Sequence, residues 1–388
     1  MMREVAVIGV GLSRFGERWN AGLKELMAEA GVAAIEDANV KSSDVEMLFG
    51  GTMASGRFMG QEHIAALMSD ELGFRNIPAV RIENACASGG SALRLGYMSV
   101  ASGIHDIVVV GGVEKMTDVT SAEAGTALGG AGDQEWELFQ GITFPGLYAM
   151  MAKRHMHEYG TTEEQLASVS VKNHDNAYKN KYAQFHKKIT VQEVLDSKMV
   201  SDPLKLFDCS PISDGAAALV LAPLEVARKY NDTPIKILAS EQASDTLRLA
   251  ARESLTSIKA TYIAAQKAYK HAKVSAKDIS IAEVHDCFTI AEIMAMEDLG
   301  FYDKGKAAKA VENGETRLNA GISINTSGGL KGCGHPVGAT GVKQAVEVVW
   351  QLRGEAGERQ VKDARIGLTH NVGGSGATAV VHIFGRAN

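Results

Sequence analysis

Short apolar runs alternate along the chain with longer amphipathic stretches. Residues 4–10 (EVAVIGV) predict a buried strand and residues 22–38 an amphipathic helix. The apolar runs at 106–112 (DIVVVGG) and 216–222 (AAALVLA) predict two more strands. In the second half, 235–240, 280–284, 321–325, 364–369 and 377–384 read as strands, separated by helical stretches such as 257–272 and 339–353. Such alternation implies an α/β protein with parallel sheets covered by helices.

The pattern also repeats. DANVKSSDVEMLFGG (37–51) and HAKVSAKDISIAEVH (271–285) each follow a helix and match at Ala38/Ala272, Val40/Val274, Asp44/Asp278 and Val45/Ile279. Residues 88–112 and 340–370 then share a small-residue helix start, a helix, a polar turn with Asp, and a strand. Shared order predicts two similar halves, 1–230 and 231–388, with the break near YNDTPIKI (230–237). Residues 117–205 interrupt the alternation and read as an insertion over one end of the first half, placed to build or cover a binding site or to act as a structural cap.

Composition narrows the class. A chain of 388 residues exceeds one small core, and 45% hydrophobic with 22% charged residues is ordinary for a globular protein. A formal net charge of −6 with no basic block argues against a nucleic-acid partner. No apolar run is long enough to span a bilayer, and MMREVAVIGVG leads directly into a strand without a signal-peptide pattern. Four cysteines, at 86, 209, 287 and 333, show no CxxC pairing, so a reducing, cytoplasmic setting is expected and a reactive thiol is allowed.

Four segments can carry chemistry. In NACASGG, Cys86 stands between an extended segment and a helix of small residues, whose free N–H groups favour a thiolate; the alternative is a buried small hydrophobe. In NTSGGLKGCGHPVGATG (325–341), His335 sits in a rigid glycine-rich turn, suited to a base for a thiol or to an incidental loop position; no Gly-Lys-Ser/Thr phosphate-loop ending follows. AEVHDCFT (282–289) sets His285, Asp286 and Cys287 at a strand end. Alternation gives His285 and Cys287 one side and Asp286 the other, leaving a metal cluster and a catalytic pair both open. The glycines of THNVGGSGATAV (369–380) allow amides to converge on an oxyanion, with His370 expected in a structural hydrogen bond. Gly9 and Gly11 lack the third glycine of a dinucleotide fingerprint.

These segments, in this order, resemble the thiolase superfamily across nearly the whole chain: NACASGG the nucleophile motif, GGVEKM (111–116) the segment after its third strand, SDGAAALVL (213–221) the end of its first half, and GHPVGATG (334–341) its Gly-His-Pro motif. The resemblance implies two duplicated βαβαβαββ halves in a five-layer αβαβα arrangement with an inserted loop domain. It implies acetyl-CoA C-acetyltransferase activity through acetyl-Cys86, with His335 as base, Cys287 as acid/base thiol, and His285 and His335 as enolate donors. The backbone amides of Cys86 and Gly373 would form the second oxyanion site, and Asn325, Ser327, Gly328, Gly329 and Asn371 would contact substrate. Two departures place the chain in the sterol-carrier-protein-x-like and archaeal branch: His-Asp-Cys-Phe at 285–288, and Asn371 where other thiolases carry a second catalytic cysteine. Cys333 is the rival for that thiol. No metal or cofactor beyond coenzyme A thioesters is expected, nor a fused lipid-carrier domain. Expected partners are a homodimer or homotetramer pairing near 106–112, an HMG-CoA synthase and a small zinc-containing OB-fold protein. A ketoacyl synthase, an HMG-CoA synthase or a non-catalytic acyl-CoA-binding scaffold on the same fold are the alternatives.

Overall fold

The computed structural model describes residues 2–387. Its main sheet contains β1 (Val5–Leu12), β2 (Met47–Gly51), β3 (Ala79–Ile82), β4 (Val108–Glu114), β5 (Gly215–Pro223), β6 (Ile235–Ser244), β7 (Ile281–Glu283), β8 (Ser323–Ile324), β9 (Ile366–Gly373) and β10 (Thr378–Arg386). Across the sheet the order is β8-β7-β9-β10-β6-β1-β5-β4-β2-β3. Counted outward from the middle, β1-β5-β4-β2-β3 is mirrored by β6-β10-β9-β7-β8, so each strand of the second set takes the place of its counterpart in the first. The sets meet where Val5–Val7 run antiparallel to Ile235–Ile237.

Every strand and helix expected from the apolar pattern is present, with ends displaced by a few residues. β2 and β3 escape that pattern. β2 (MLFGG) ends in two glycines, and β3 (AVRI) is a short, partly exposed edge. The sheets are mixed rather than parallel: β2 runs parallel to β3 and β4, and β7 to β8 and β9, whereas β5 and β10 are antiparallel to both neighbours. The chain reverses from β9 into β10 through residues 374–377 without a crossover helix, and a short reversal permits only antiparallel pairing.

The helices that frame the site are α1 (Leu23–Asp37), α2 (Ile64–Glu71), α3 (Ser88–Ser102), α4 (Phe144–Tyr159), α5 (Glu163–Ala177), α6 (Lys259–Ala272), α7 (Thr289–Asp298), α8 (Gly329–Cys333) and α9 (Thr340–Arg353). Strand periodicity sorts their contacts. In β1, Val5 and Val7 pack inward with Ala92 of α3 and Val346 of α9, while Ala6 and Ile8 pack outward with Leu26 and Ala30 of α1. A third core joins α6 and α7 to the outer face of the second strand set. Five layers result: α1 and α2, strands, α3 and α9, strands, then α6 and α7. Gly9 and Gly11 serve this packing, since a Cβ there would sit 2.2 Å from Ala34 O and 2.0 Å from Ala30 O of α1.

Residues 115–214, between β4 and β5, carry α4 and α5. Leu147, Tyr148 and Met151 of α4 pack with Ile290 and Met294 of α7, so this segment is built into the core of the second half. β4 cannot be a pairing edge, because β2 and β5 occupy both its sides; the open edge beside it is β3. Among the described residues no helix is long and apolar enough to cross a membrane.

Candidate active site

Cys86 occupies a tight turn between β3 and α3. Ala85 before it adopts φ +51°, a left-handed conformation uncommon for a residue with a Cβ. The turn is held locally: Ser88 Oγ accepts from Asn84 N at 2.8 Å and donates to Ala85 O at 2.6 Å, while Ala85 N donates to the Glu83 carboxylate at 2.6 Å. The thiol is not the helix-stabilised thiolate expected from the sequence. Burial pushes it up to about 12, and the negative Glu114 and Glu83 add to this, outweighing the N–H groups of Gly374 and Cys86 that face the sulfur. The amides that face the resting sulfur are those of Cys86 and Gly374. Gly373 is the last residue of β9, and its α-carbon faces Asn84 O across the sheet end.

His335 lies between α8 and α9. Its Nδ1 is 2.7 Å from Thr340 Oγ1, and that hydroxyl donates to Pro336 O at 3.0 Å. With its proton committed to Pro336, Thr340 accepts from Nδ1–H, so the other ring nitrogen, Nε2, bears a lone pair. Burial, then Lys343, holds the imidazole down at about 3, so it is neutral. The resting pair is thus thiol and imidazole, ready for a single proton transfer.

His285 and Cys287 follow β7, in a loop rather than on the strand itself. Asp286 does turn away. Its carboxylate accepts from Leu330 N at 2.7 Å, Lys331 N at 3.2 Å and Asn173 Nδ2 at 2.7 Å, tying this loop to the first turn of α8. The Cys86 sulfur and one nitrogen each from His285 and His335 all lie within 4.8 Å of one another. The two imidazole rings meet edge-on, with centroids 5.1 Å apart. His370 has the structural role expected, bonded to Thr261 Oγ1 at 2.8 Å and receiving His285 N at 3.4 Å.

Cys86, His335 and Cys287 open onto one cavity of about 210 Å³. Burial raises the Cys287 thiol well above its ordinary value, and a hydrogen bond from Tyr148 opposes the shift. Tyr148, on α4, carries no motif and escaped the sequence reading. Its fully buried hydroxyl donates to Gly374 O at 3.1 Å with the Cys287 sulfur as its other neighbour, and its ring stacks on Phe288 at 4.6 Å. Thr340 was missed as well, although its place after Gly-His-Pro was the available signal. Cys209 also lines the cavity, while Cys333 is fully buried and receives Asn180 Nδ2 at 3.7 Å.

The expected substrate contacts are corrected by burial. Asn325 Oδ1 accepts from Val284 N and its Nδ2 donates to Glu292. Ser327 Oγ donates to Glu283 and receives Lys343 Nζ. Gly328 packs on Ala177 and Gly329 on the Asp286 carboxylate. Asn371 is also committed within the protein: Oδ1 accepts from Gly90 N at 3.1 Å, and Nδ2 reaches Cys86 O at 2.9 Å and His285 Nδ1 at 3.2 Å. These five residues hold the loops that carry the site.

A duplicated five-layer α/β fold presenting a cysteine at a helix start, a neutral histidine beside it and a second thiol on the same cavity defines a thiol-dependent acyl-transfer enzyme. The sequence matches the Thiolase, N-terminal domain family over residues 5–225 and the Thiolase C-terminal domain-like family over 241–386. The chain belongs to the thiolase family. It is 58% identical to an acetyl-CoA acetyltransferase of Methanothermobacter thermautotrophicus over 99% of this chain and 100% of that one, and 49% identical to one of Methanocaldococcus jannaschii over 99% of each. Chicken sterol carrier protein 2 is 35% identical over 98% of this chain and 71% of its own length. Among solved structures, the Ltp2-ChsH2(DUF35) aldolase superposes with a TM-score of 0.85 at 26% identity, covering 99% of this chain and 98% of that one.

Proposed function

We propose that the protein is an acetyl-CoA C-acetyltransferase that joins two acetyl-CoA into acetoacetyl-CoA and free CoA, and runs the reverse thiolysis. The observation that carries this reading is the convergence of Cys86, His285 and His335 beside a cavity shared with Cys287. His335 Nε2 takes the Cys86 proton as the sulfur attacks the first thioester. The new charge passes to the carbonyl oxygen, facing the N–H groups of Cys86 and Gly374, so a buried thiolate need not accumulate. The C–S bond to CoA breaks, and His335 passes its proton to the departing sulfur, so CoA leaves as the thiol and the Nε2 lone pair is restored. The Cys287 thiolate then removes a methyl proton from the second acetyl-CoA, the enolate carbon displaces Cys86 from its acetyl group, and the Cys86 thiolate recovers a proton from Cys287. The His285 ring stands where the enolate oxygen develops charge. Apolar walls of Met116, Leu128, Phe144, Phe288 and Val337 suit a short acyl group. Thiol, imidazole and amide supply nucleophile, base and oxyanion donors, so the chemistry requires no cofactor beyond the CoA thioesters.

Incubation with radiolabelled acetyl-CoA tests the assignment. Label should attach to the protein and be absent from Cys86→Ser. Cys287→Ser should still be acetylated but lose condensation by about three orders of magnitude, the scale on which a general base acts. Labelled Cys86→Ser, or a condensing Cys287→Ser, would overturn it.

The proposal extends to a cytoplasmic homo-oligomer paired through the open β3 edge, and to handover of acetoacetyl-CoA to an HMG-CoA synthase through a zinc-containing OB-fold subunit, as a first step toward isoprenoids. The similar aldolase pairs its thiolase-like chain with a ChsH2(DUF35) component, which supports a partner subunit here. Thioester condensation is uphill, and direct handover draws it forward. Co-expression should yield one joint peak on gel filtration; a stand-alone homo-oligomer would remove this part.

A further inference from the structure

We propose that Asn371 sets the tautomer of His285, and so keeps the Cys86–His285–His335 cluster a site for a negatively charged oxygen and not a zinc site. The argument rests on the reading above, in which the oxygen is that of a thioester enolate. By composition and closeness, a sulfur and two imidazole nitrogens within 4.8 Å of one another form a ligand set of the kind zinc selects. Protonation decides between the two roles, because a ring N–H donates to oxygen but has no lone pair for a metal.

Two backbone groups fix the Asn371 amide. Gly90 N–H can only donate, so the atom 3.1 Å from it is oxygen; Cys86 O can only accept, so the atom 2.9 Å from it is nitrogen. The same nitrogen points its second hydrogen at His285 Nδ1, 3.2 Å away. His285 Nδ1 must then accept, and the neutral ring carries its proton on Nε2. That atom is buried and has no hydrogen-bond partner among the described residues. Its missing partner is an acceptor, as an enolate oxygen is. Turning the amide over would face N–H to N–H at Gly90 and oxygen to oxygen at Cys86. Burial keeps His285 neutral, so the ring does not escape the choice by gaining a second proton. His335 differs: Thr340 takes its Nδ1–H, leaving a lone pair on Nε2. The two histidines are thus set as one donor and one acceptor by Asn371 and Thr340.

Asn371→Asp reverses the setting. One carboxylate oxygen can still accept from Gly90 N–H; the other loses the bond to Cys86 O and, as an acceptor only, must receive a proton from His285 Nδ1, which strips Nε2 of its hydrogen. Cobalt(II), a spectroscopic substitute for zinc, reports the result without reference to activity. The variant should bind cobalt at least about 10-fold more tightly than the native protein. It should show a thiolate-to-cobalt charge-transfer band that the additional change Cys86→Ser abolishes. Its condensation rate should fall about 100-fold, the effect of losing one oxyanion donor, with exchange of acetyl groups between CoA molecules less affected. Should the variant not fold, nitrogen-15 spectra of histidine-labelled native protein, with His285→Gln for assignment, read the tautomer directly and should show the proton on Nε2. A proton on Nδ1, or a cobalt–thiolate band in the native protein, would overturn the proposal. Failure of the Cys86 labelling test would instead strike the proposed function and leave the tautomer result standing.

Discussion

Tyr148 holds its hydroxyl between Gly374 O and the Cys287 sulfur, and what it does there depends on the charge of that sulfur. In the proposed role of base Cys287 must be a thiolate, and burial raises its pKa well above the ordinary thiol value. A phenol donor stabilises the thiolate and partly reverses that rise. Tyr148→Phe keeps the stacked ring and removes the donor, so the Cys287 pKa climbs further. Because condensation increases as pH rises through this pKa, its ascending limb should move to higher pH in the variant; an unmoved limb would show that the hydroxyl serves only Gly374. Cys86, at about 12, gives a related expectation. Alkylation of the free enzyme by iodoacetamide should accelerate steadily through pH 9. A plateau from pH 6 upward would reveal a preformed thiolate–imidazolium pair.

At the scale of elements, the site depends on how closely the first turns of α3 and α9 approach. A Cβ on Gly341 would lie 2.2 Å from both Gly90 N and Asn371 Oδ1. Gly341→Ala must push the helices apart at the point where Asn371 ties Cys86 to His285. Overpacking of this kind costs about 3 kcal/mol, readable as an earlier urea midpoint, and activity should fall by more than the loss of folded protein explains. Glu114, at the end of β4, gathers Met53 N, Ala54 N, Thr52 Oγ1 and Gly338 N around its carboxylate. Burial nevertheless raises it to about 7. A carboxyl that binds its proton more tightly folded than unfolded loses stability as pH climbs from its unfolded value near 4.5 to about 7. Glu114→Gln should flatten that decline, measured by urea unfolding at several pH values, while lowering stability by about 2 kcal/mol through the mismatched amide N–H groups.

At the scale of the molecule, the two strand sets repeat one order, and each set contributes to one site: Cys86 from the first, His285, Cys287, His335 and Gly374 from the second, with Tyr148 from the segment inserted between β4 and β5. Neither half contains the site alone. The outer strand β3 exposes Val80 at 44% relative accessibility beside a free row of backbone groups. Val80→Lys places a charge on that edge, and light scattering should show the oligomer dissociating if β3 is the pairing strand. An unchanged mass would place the interface elsewhere.

Much of this was legible in the sequence because it is local. Apolar periodicity marked eight of the ten sheet strands, and the repeat was visible because each half must bury the same faces. Cys86, His335, His285 and Cys287 stood out because each occupies a short motif whose neighbours fix its backbone. Other features belong to contacts between distant segments. The 12-like pKa of Cys86 comes from burial, which a helix-start motif does not disclose. The place of Gly374 depends on how β9 turns into β10, and Tyr148 arrives from a helix bearing no signature. The chain by itself determined the fold and marked the cysteine, histidine and second thiol proposed as nucleophile, base and proton acceptor. Only the tertiary structure decided their protonation, because a proton's place on an imidazole is set by partners such as Asn371 and Thr340, and hydrogen-bond partners are chosen in space.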